Sequence, residues 1–281
     1  LTRIPFNVNI AGQSSGGTAY WVGEAKPKPL TSFHFNSVNF RWAKIATISV
    51  LSDEMVRFSN PSAEVLVRDE LAKAIGERMD IDFVDPGKAA STNVSPASIT
   101  NGVTPSHSAG NTGDFIRSDV STLLGGFDNY DIPLTNPAFI MSSTKARQLT
   151  LMRNSLGQRE FPDMTLLGGS LEGIPVVASR YVSKFGTTGG EYVMLIHQPD
   201  IWYADDGQVT VDASREASLE MLDGSLTQDA SGGTGASLVS MFQTNSVAVR
   251  AERYVNWARR RTGAVVVLDM CFWGSSHTSG T

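Results

Sequence analysis

Gly12-Gln13-Ser14-Ser15-Gly16 fits the G-x-S-x-G pattern in which a serine hydroxyl is pushed out at a sharp strand-to-helix turn. That chemistry needs a helix directly behind the serine, whose first amides help to hold an oxyanion, and an Asp and a His later in the chain. The stretch that follows is GGTAYWVGEAKPKP. Its glycines, β-formers and prolines predict no helix, and no Asp and His stand out in the expected order. The segment therefore reads as a Gly/Ser hinge, with a serine hydrolase acting through Ser14 as the enzymatic rival.

Other chemistry-bearing residues are sparser. GGTGAS, Gly232 to Ser237, lacks the Lys-Ser/Thr ending of a phosphate loop and leads into strand-like sequence. Asp80 with Asp82 and Asp85, and Asp205 with Asp206, lack the oxygen-ligand spacing of a calcium loop and read as a helix end and a solvated turn. The four histidines (His34, His107, His197, His277) lie far apart, and the single Cys271 excludes an intrachain disulfide framework and suits a reducing compartment. His107 reads as solvated and His197 as a satisfied core or edge residue. No cofactor or metal is expected. The densest basic patch is Arg253, Arg259, Arg260 and Arg261 with Tyr254 and Trp257 interleaved. It could contact a nucleic-acid backbone or form salt bridges at a subunit boundary.

The elements that would position these residues follow from composition and periodicity. A chain of 281 residues, 41% hydrophobic, can bury one large core or two smaller ones. Its net charge of -5 argues against broad phosphate neutralisation, and no apolar run approaches the roughly 20 residues of a membrane span, so a soluble protein is predicted. The start at Leu1, with neither an initiator Met nor a signal-like region, reads as the product of an internal cut or trimming.

FHFNSVNFRWAKIATISV partly alternates, and with TAYWVGEA as its partner it predicts a two-stranded ribbon tipped by Lys26, Pro27, Lys28 and Pro29. Such a ribbon is marginal alone and must lean on something else. From Asn60 (N-cap) and Pro61, the spacing of Val67, Leu71, Ala74, Ile75, Met79 and Phe83 predicts a long helix stopped at Asp85-Pro86-Gly87. A polar loop follows, and then a shorter helix through Ile116, Val120, Leu123 and Leu124, ending before Gly125-Gly126. AFIMS is a strand, and Ser143 or Thr144 starts a helix that Gly157 ends. LEGIPVVAS, EYVMLIHQ, QVTVDAS, VSMFQTNSVAVRAERYVNW and GAVVVLDMCFW are strands. The class is mixed α+β.

Taken in order, three blocks resemble the major capsid proteins of tailed bacteriophages, the coat fold first known from phage Hong Kong ninety-seven. They are YWVGEAKPKPLTSFHFNSVNFRWAKIATISVLSDEMVRFSNPSAEVLVRDELAKAI; NPAFIMSSTKARQLTLMRNSLGQREFP with LEGIPVVAS; and MFQTNSVAVRAERYVNWARRRTGAVVVL. The resemblance implies an N-terminal arm (1–18), an extended β-hairpin loop (19–50), a peripheral domain with the long spine helix (51–135), an axial domain (136–237) and C-terminal strands returning to the periphery (238–281).

It further implies a non-enzymatic subunit of an icosahedral virion shell. Hexamers and pentamers would assemble in the host bacterial cytoplasm and enclose double-stranded DNA without sequence specificity. Copies of the chain are the first partner; portal, scaffolding segment, maturation protease and decoration protein are further ones, and no membrane is involved. An encapsulin-like compartment around enzymes is the close rival. Aromatic hot-spot preference makes Trp21, Phe33, Phe35 and Trp42, with Lys26 and Lys28, the expected interface residues. Some relatives join loop and peripheral domain by a Lys–Asn isopeptide bond assisted by a Glu. Here Lys26 or Lys28 and Asn245 would be the partners, but Ala251 stands where the resemblance expects the assisting carboxylate, so no cross-link is expected.

Overall fold

The computed structural model describes residues 1–15, 19–24, 27–30, 34–58, 62–182, 184–185, 190–220 and 238–274. In chain order its elements are β1 (Thr2–Arg3), β2 (Val8–Ser15), β3 (His34–Phe40), β4 (Ala43–Ser52), α1 (Asp53–Phe58), α2 (Ser62–Val84), β5 (Ser106–His107), α3 (Gly113–Asp128), β6 (Pro137–Ser142) and α4 (Ser143–Leu151). There follow β7 (Met164–Thr165), β8 (Gly168–Leu171), β9 (Ile174–Ser179), β10 (Lys184–Phe185), β11 (Gly190–His197), β12 (Ile201–Asp205), β13 (Thr210–Ser214), β14 (Ser218–Glu220), β15 (Leu238–Ser240), β16 (Ser246–Arg259) and β17 (Val265–Cys271). The mixed α+β class is as the sequence predicts. Among the described residues no helix is long and apolar enough to cross a membrane.

The chain divides into two compact units: 1–43 with 81–205 and 255–281, and 44–80 with 206–254. The first is built on a sheet ordered β5-β17-β11-β6-β9-β8-β7, with β10 also paired to β11. β11 is antiparallel to both β17 and β6, whereas β6 and β9 are parallel. β6 and β11 are buried almost throughout, which is why they read as unbroken apolar runs rather than alternating ones. Phe139, Met141, Val193 and Leu195 face a core completed by Ile116, Val120, Leu123 and Phe127 of α3 and by Ala146 and Leu149 of α4.

In the same unit, β1 runs parallel to β12, and β12 pairs antiparallel with the end of β16, from Ile201↔Arg259 to Asp205↔Val255. Phe40, 1% exposed, packs there with Trp202 and Ala204. In the second unit, β16 pairs antiparallel with β13 from Thr210↔Glu252 to Ser214↔Ala248 and also pairs with β4. Leu71 and Ile75 of α2 cover Val247, Val249 and Ala251 of this sheet. Of the predicted stripe, Leu71 and Ile75 are buried there and Val67 packs half-buried against them, whereas Ala74 is exposed.

Several expectations are corrected. The partner of β3 is β2, in a register running from Val8↔Phe40 to Ser15↔His34; TAYWVGEA has no strand among its described residues. Both β2 and β3 carry alternating β-formers, and proximity in sequence alone favoured the wrong partner. Gly12–Ser15 is therefore strand rather than hinge, while Gly16, like Asn60, Pro61 and Gly232 to Ser237, lies outside the described residues. α3 continues through Gly125-Gly126 to Asp128. A Cβ on Gly126 would meet the Val266 methyls at 2.7 and 2.8 Å, so this glycine serves close helix–strand approach rather than termination. α4 stops at Leu151, before Met152 turns extended, and Gly157 (φ +79) instead shapes the tip of the following hairpin. The α1 turn and β12 have no counterpart in the sequence reading.

Candidate functional site

Ser14 sits within β2, where the pairing with β3 shifts register between Gln13 and Ser15. A nucleophile elbow needs the turn into a helix, and Ser14 lies on a paired strand instead. Among the described residues no group of three or more His, Cys, Asp or Glu could hold a metal, so neither Asp cluster forms a centre.

The ribbon β2–β3 is a two-stranded sheet of its own. The described part of the segment beyond it is open: Trp21 is fully exposed, Leu30 is 99% exposed, and Lys28 is exposed. Trp42 is half exposed and lines a surface groove with Asn7, Asn9, Arg41 and Asn93, where Arg41 donates to Asn93 Oδ1 at 3.0 Å. Lys26 and Phe33 lie outside the described residues, and Phe35 is described only as a β3 position.

The basic patch resolves into two environments. Arg259 is half-buried and donates to the Asn101 carbonyl at 2.7 Å, and burial pulls its pKa below the usual arginine value. Arg260 and Arg261 converge on Asp200, at 3.6 and 3.7 Å, and the Arg260 amide bonds the Asp200 carbonyl at 2.8 Å. Asp200 is only 2% exposed and also meets His197 Nδ1 at 2.9 Å; the other ring nitrogen of His197 lies 3.2 Å from Thr135 Oγ1. His197 is thus the satisfied core histidine expected. Asp200, which the sequence reading missed, is the anion that organises this cluster. Its signal was weak: one Asp after a proline in QPDIW.

Two further buried carboxylates escaped the sequence reading. Asp119 accepts bonds from Ser108 Oγ (2.6 Å), the Ala109 amide (2.8 Å) and Trp273 Nε1 (2.7 Å). Asp269, 1% exposed, holds His107 Nδ1 at 2.6 Å, and β5 runs parallel to β17 at this point. His107 is exposed, as expected of a solvated residue, and is also anchored through this contact. Asp119 thus fastens the polar loop before α3 to the helix itself, and Asp269 fastens it to the sheet.

Beside them, Ser142 caps α4 by accepting the Lys145 amide and donates its hydroxyl to Glu191. Lys145 is buried and bonded to Gln148 Oε1 at 3.0 Å. Burial lowers its pKa against the opposing pull of Glu191, and burial drives the Cys271 thiol well above its ordinary range. A protonated, enclosed thiol is a poor nucleophile. The arrangement supports a rigid scaffold with exposed apolar and charged surfaces.

The model of the phage capsid family matches residues 5–270. The chain is 45% identical over 276 residues to the capsid polyprotein of Pseudomonas phage PAJU2, which covers 98% of this chain and 41% of that protein. It is 22% identical over 226 residues to the major capsid protein of Klebsiella oxytoca phage phiKO2, covering 78% and 52% respectively. The chain thus spans about half the length, or less, of these curated relatives. Among solved structures, that of Mycobacterium phage Adephagia superposes with a TM-score of 0.69 at 16% identity, over 95% of this chain and 86% of that one. A structure described as the capsid of the native GTA particle gives 0.67 at 12% identity, over 96% and 87%. These two share the fold, and the family model with the first relative adds descent: the chain belongs to the phage capsid family.

Proposed function

We propose that this chain is the major shell subunit of a tailed-phage virion, a structural protein that joins copies of itself into hexamers and pentamers of an icosahedral capsid. The observation that carries the reading is the family match along nearly the whole chain. The finer architecture is part of the proposal: an arm over 1–18, an extended loop over 19–50, a peripheral domain over 51–135, an axial domain over 136–237 and returning C-terminal strands over 238–281. The isolated ribbon β2–β3 and the exposed Trp21 and Leu30 support an arm-and-loop reading, because a two-stranded sheet with free apolar side chains gains stability by lying on another subunit. Trp21, Phe33, Phe35 and Trp42, with Lys26 and Lys28, are proposed interface residues. Enclosed DNA, portal, scaffold, protease and decoration proteins remain proposed partners; Arg260 and Arg261 are proposed to act through the Asp200 cluster at a boundary, and Arg259 through its bond to the Asn101 carbonyl, rather than as free phosphate contacts.

Electron microscopy with sedimentation tests this. Closed shells or rings of five and six are expected at high concentration. Replacing residues 19–30 by a short Gly/Ser turn keeps the buried Phe40 in place, and is expected to leave a folded subunit that no longer forms shells. Normal shells from that variant would refute the loop assignment.

A further inference from the structure

Two exposed patches of the first compact unit carry opposite charge, and among the described residues the aspartates of one and the arginines of the other make no ion pair. The first follows α3. Asp128 ends the helix and Asp131, at φ 49, lies just beyond it; both are exposed, and the last helical turn has no basic residue. The negative end of the helix dipole therefore meets two carboxylates of its own sign, an arrangement that favours a nearby cation. Among the described residues neither carboxylate makes an ion pair. Leu134, three residues beyond Asp131, is 54% exposed and, with Leu1, Leu124, Ile174 and Pro175, lines a groove of about 710 Å³ whose wall carries Glu172 but neither aspartate.

The second patch is the hairpin after α4. Arg153 and Arg159 are directly opposed in an antiparallel bridge, the position at which like charges repel. Both are exposed, and neither makes an ion pair among the described residues. Asn154 Oδ1 accepts the amides of Leu156 and Gln158, at 3.0 and 2.9 Å, and folds a tip from which Leu156 projects 81% exposed. Glu160, at the hairpin base, is already engaged by Arg117 at 2.6 Å. Arg117 lies near the start of α3 and Asp128 at its end, about 16 Å along the axis at 1.5 Å per residue.

We propose that the basic hairpin of one copy docks on this groove of the next, with Leu156 entering beside Leu134 and Arg153 and Arg159 facing Glu172 on its wall and Asp128 and Asp131 at the end of α3. The proposal rests on the shell reading and adds the faces through which neighbours join. Because the faces differ, the contact is head-to-tail, and its repetition closes a ring. Opposite potentials fix the register and speed encounter.

The test uses the whole chain in two variants, Arg153→Glu/Arg159→Glu and Asp128→Lys/Asp131→Lys, followed by sedimentation velocity and electron microscopy, with near-ultraviolet circular dichroism to verify folding. Each variant alone is expected to need about tenfold more protein to assemble, since every contact then sets like charges together. An equimolar mixture is expected to regain assembly in rings of even number, because alternation restores opposite charges at every contact. Leu156→Ser, at a tip without internal packing, is expected to weaken assembly several-fold and serves if a reversal variant fails to fold. Folded variants that assemble as well as the unaltered chain, or a mixture that stays apart, would overturn these faces and leave the shell reading standing. Normal shells that lose only DNA in the arginine variant would also overturn them and assign the hairpin to phosphate. An unaltered chain that stays monomeric throughout would overturn the shell reading and this one with it.

Discussion

Buried charge is where single residues matter most in this protein. Asp119 and Asp200 are each about 2% exposed and hold several donors. Removing one partner of such a group strands the others, which costs more than the bond itself contributes. Asp200→Ala is therefore expected to lower unfolding free energy by about 3 kcal/mol in urea titrations. Asp200→Asn, which keeps the shape and one acceptor, is expected to lose less. Cys271 gives a pH signature. Its folded pKa is raised above the ordinary 9.0, so the native state holds its proton longer than the unfolded chain. That stability is fully present below pH 9 and is lost as pH rises above it through the folded value. Lys145, lowered by burial, works in the opposite sense: the unfolded chain binds its proton more tightly, so its contribution rises towards pH 10.5. Cys271→Ala is expected to flatten the alkaline loss measured by urea titration between pH 8 and pH 11, whatever its cavity costs at pH 7. An unchanged slope would remove Cys271 as its source.

At the scale of elements, α3 and β17 approach closely enough to demand glycine at 126. Helix propensity favours Gly126→Ala by about 1 kcal/mol. The new methyl would, however, meet both branches of Val266 at under 3 Å, and a β-branched neighbour has few rotamers with which to move aside. Overpacking of about 1–3 kcal/mol is expected to win, giving a lower thermal midpoint that Val266→Ala partly restores. A raised midpoint in Gly126→Ala alone would show that propensity decides. The same region shows why the sequence misread the end of α3. A glycine pair is a common stop signal, but only the neighbouring strand reveals that a glycine is there to admit contact.

For the whole molecule, the shell reading makes assembly depend on surfaces such as Trp21 and Leu30, which are exposed in the chain. No autocatalytic cross-link is expected, since Ala251 stands where the family resemblance would require a carboxylate, and it is fully buried within its sheet. Boiled, reduced shells should therefore run as a single monomer band on denaturing gels, and a ladder of higher bands would defeat that expectation. In the proposed shell many weak contacts per subunit would add up, so the salt dependence of assembly should follow the number of charged contacts made at each join.

What the sequence determined by itself is local or periodic: the α+β class, the long helix through Leu71 and Ile75, the apolar strands AFIM and YVMLI, and the order of blocks that carries the family resemblance. These depend on side-chain spacing along one segment, and such spacing is written directly in the chain. The tertiary structure decided the rest. It set β2 rather than TAYWVGEA against β3, carried α3 through its glycines onto Val266, and gathered Arg260, Arg261 and His197 around Asp200. Strand partners, close approaches and buried charges join residues far apart in sequence, so their energies depend on neighbours that only folding supplies.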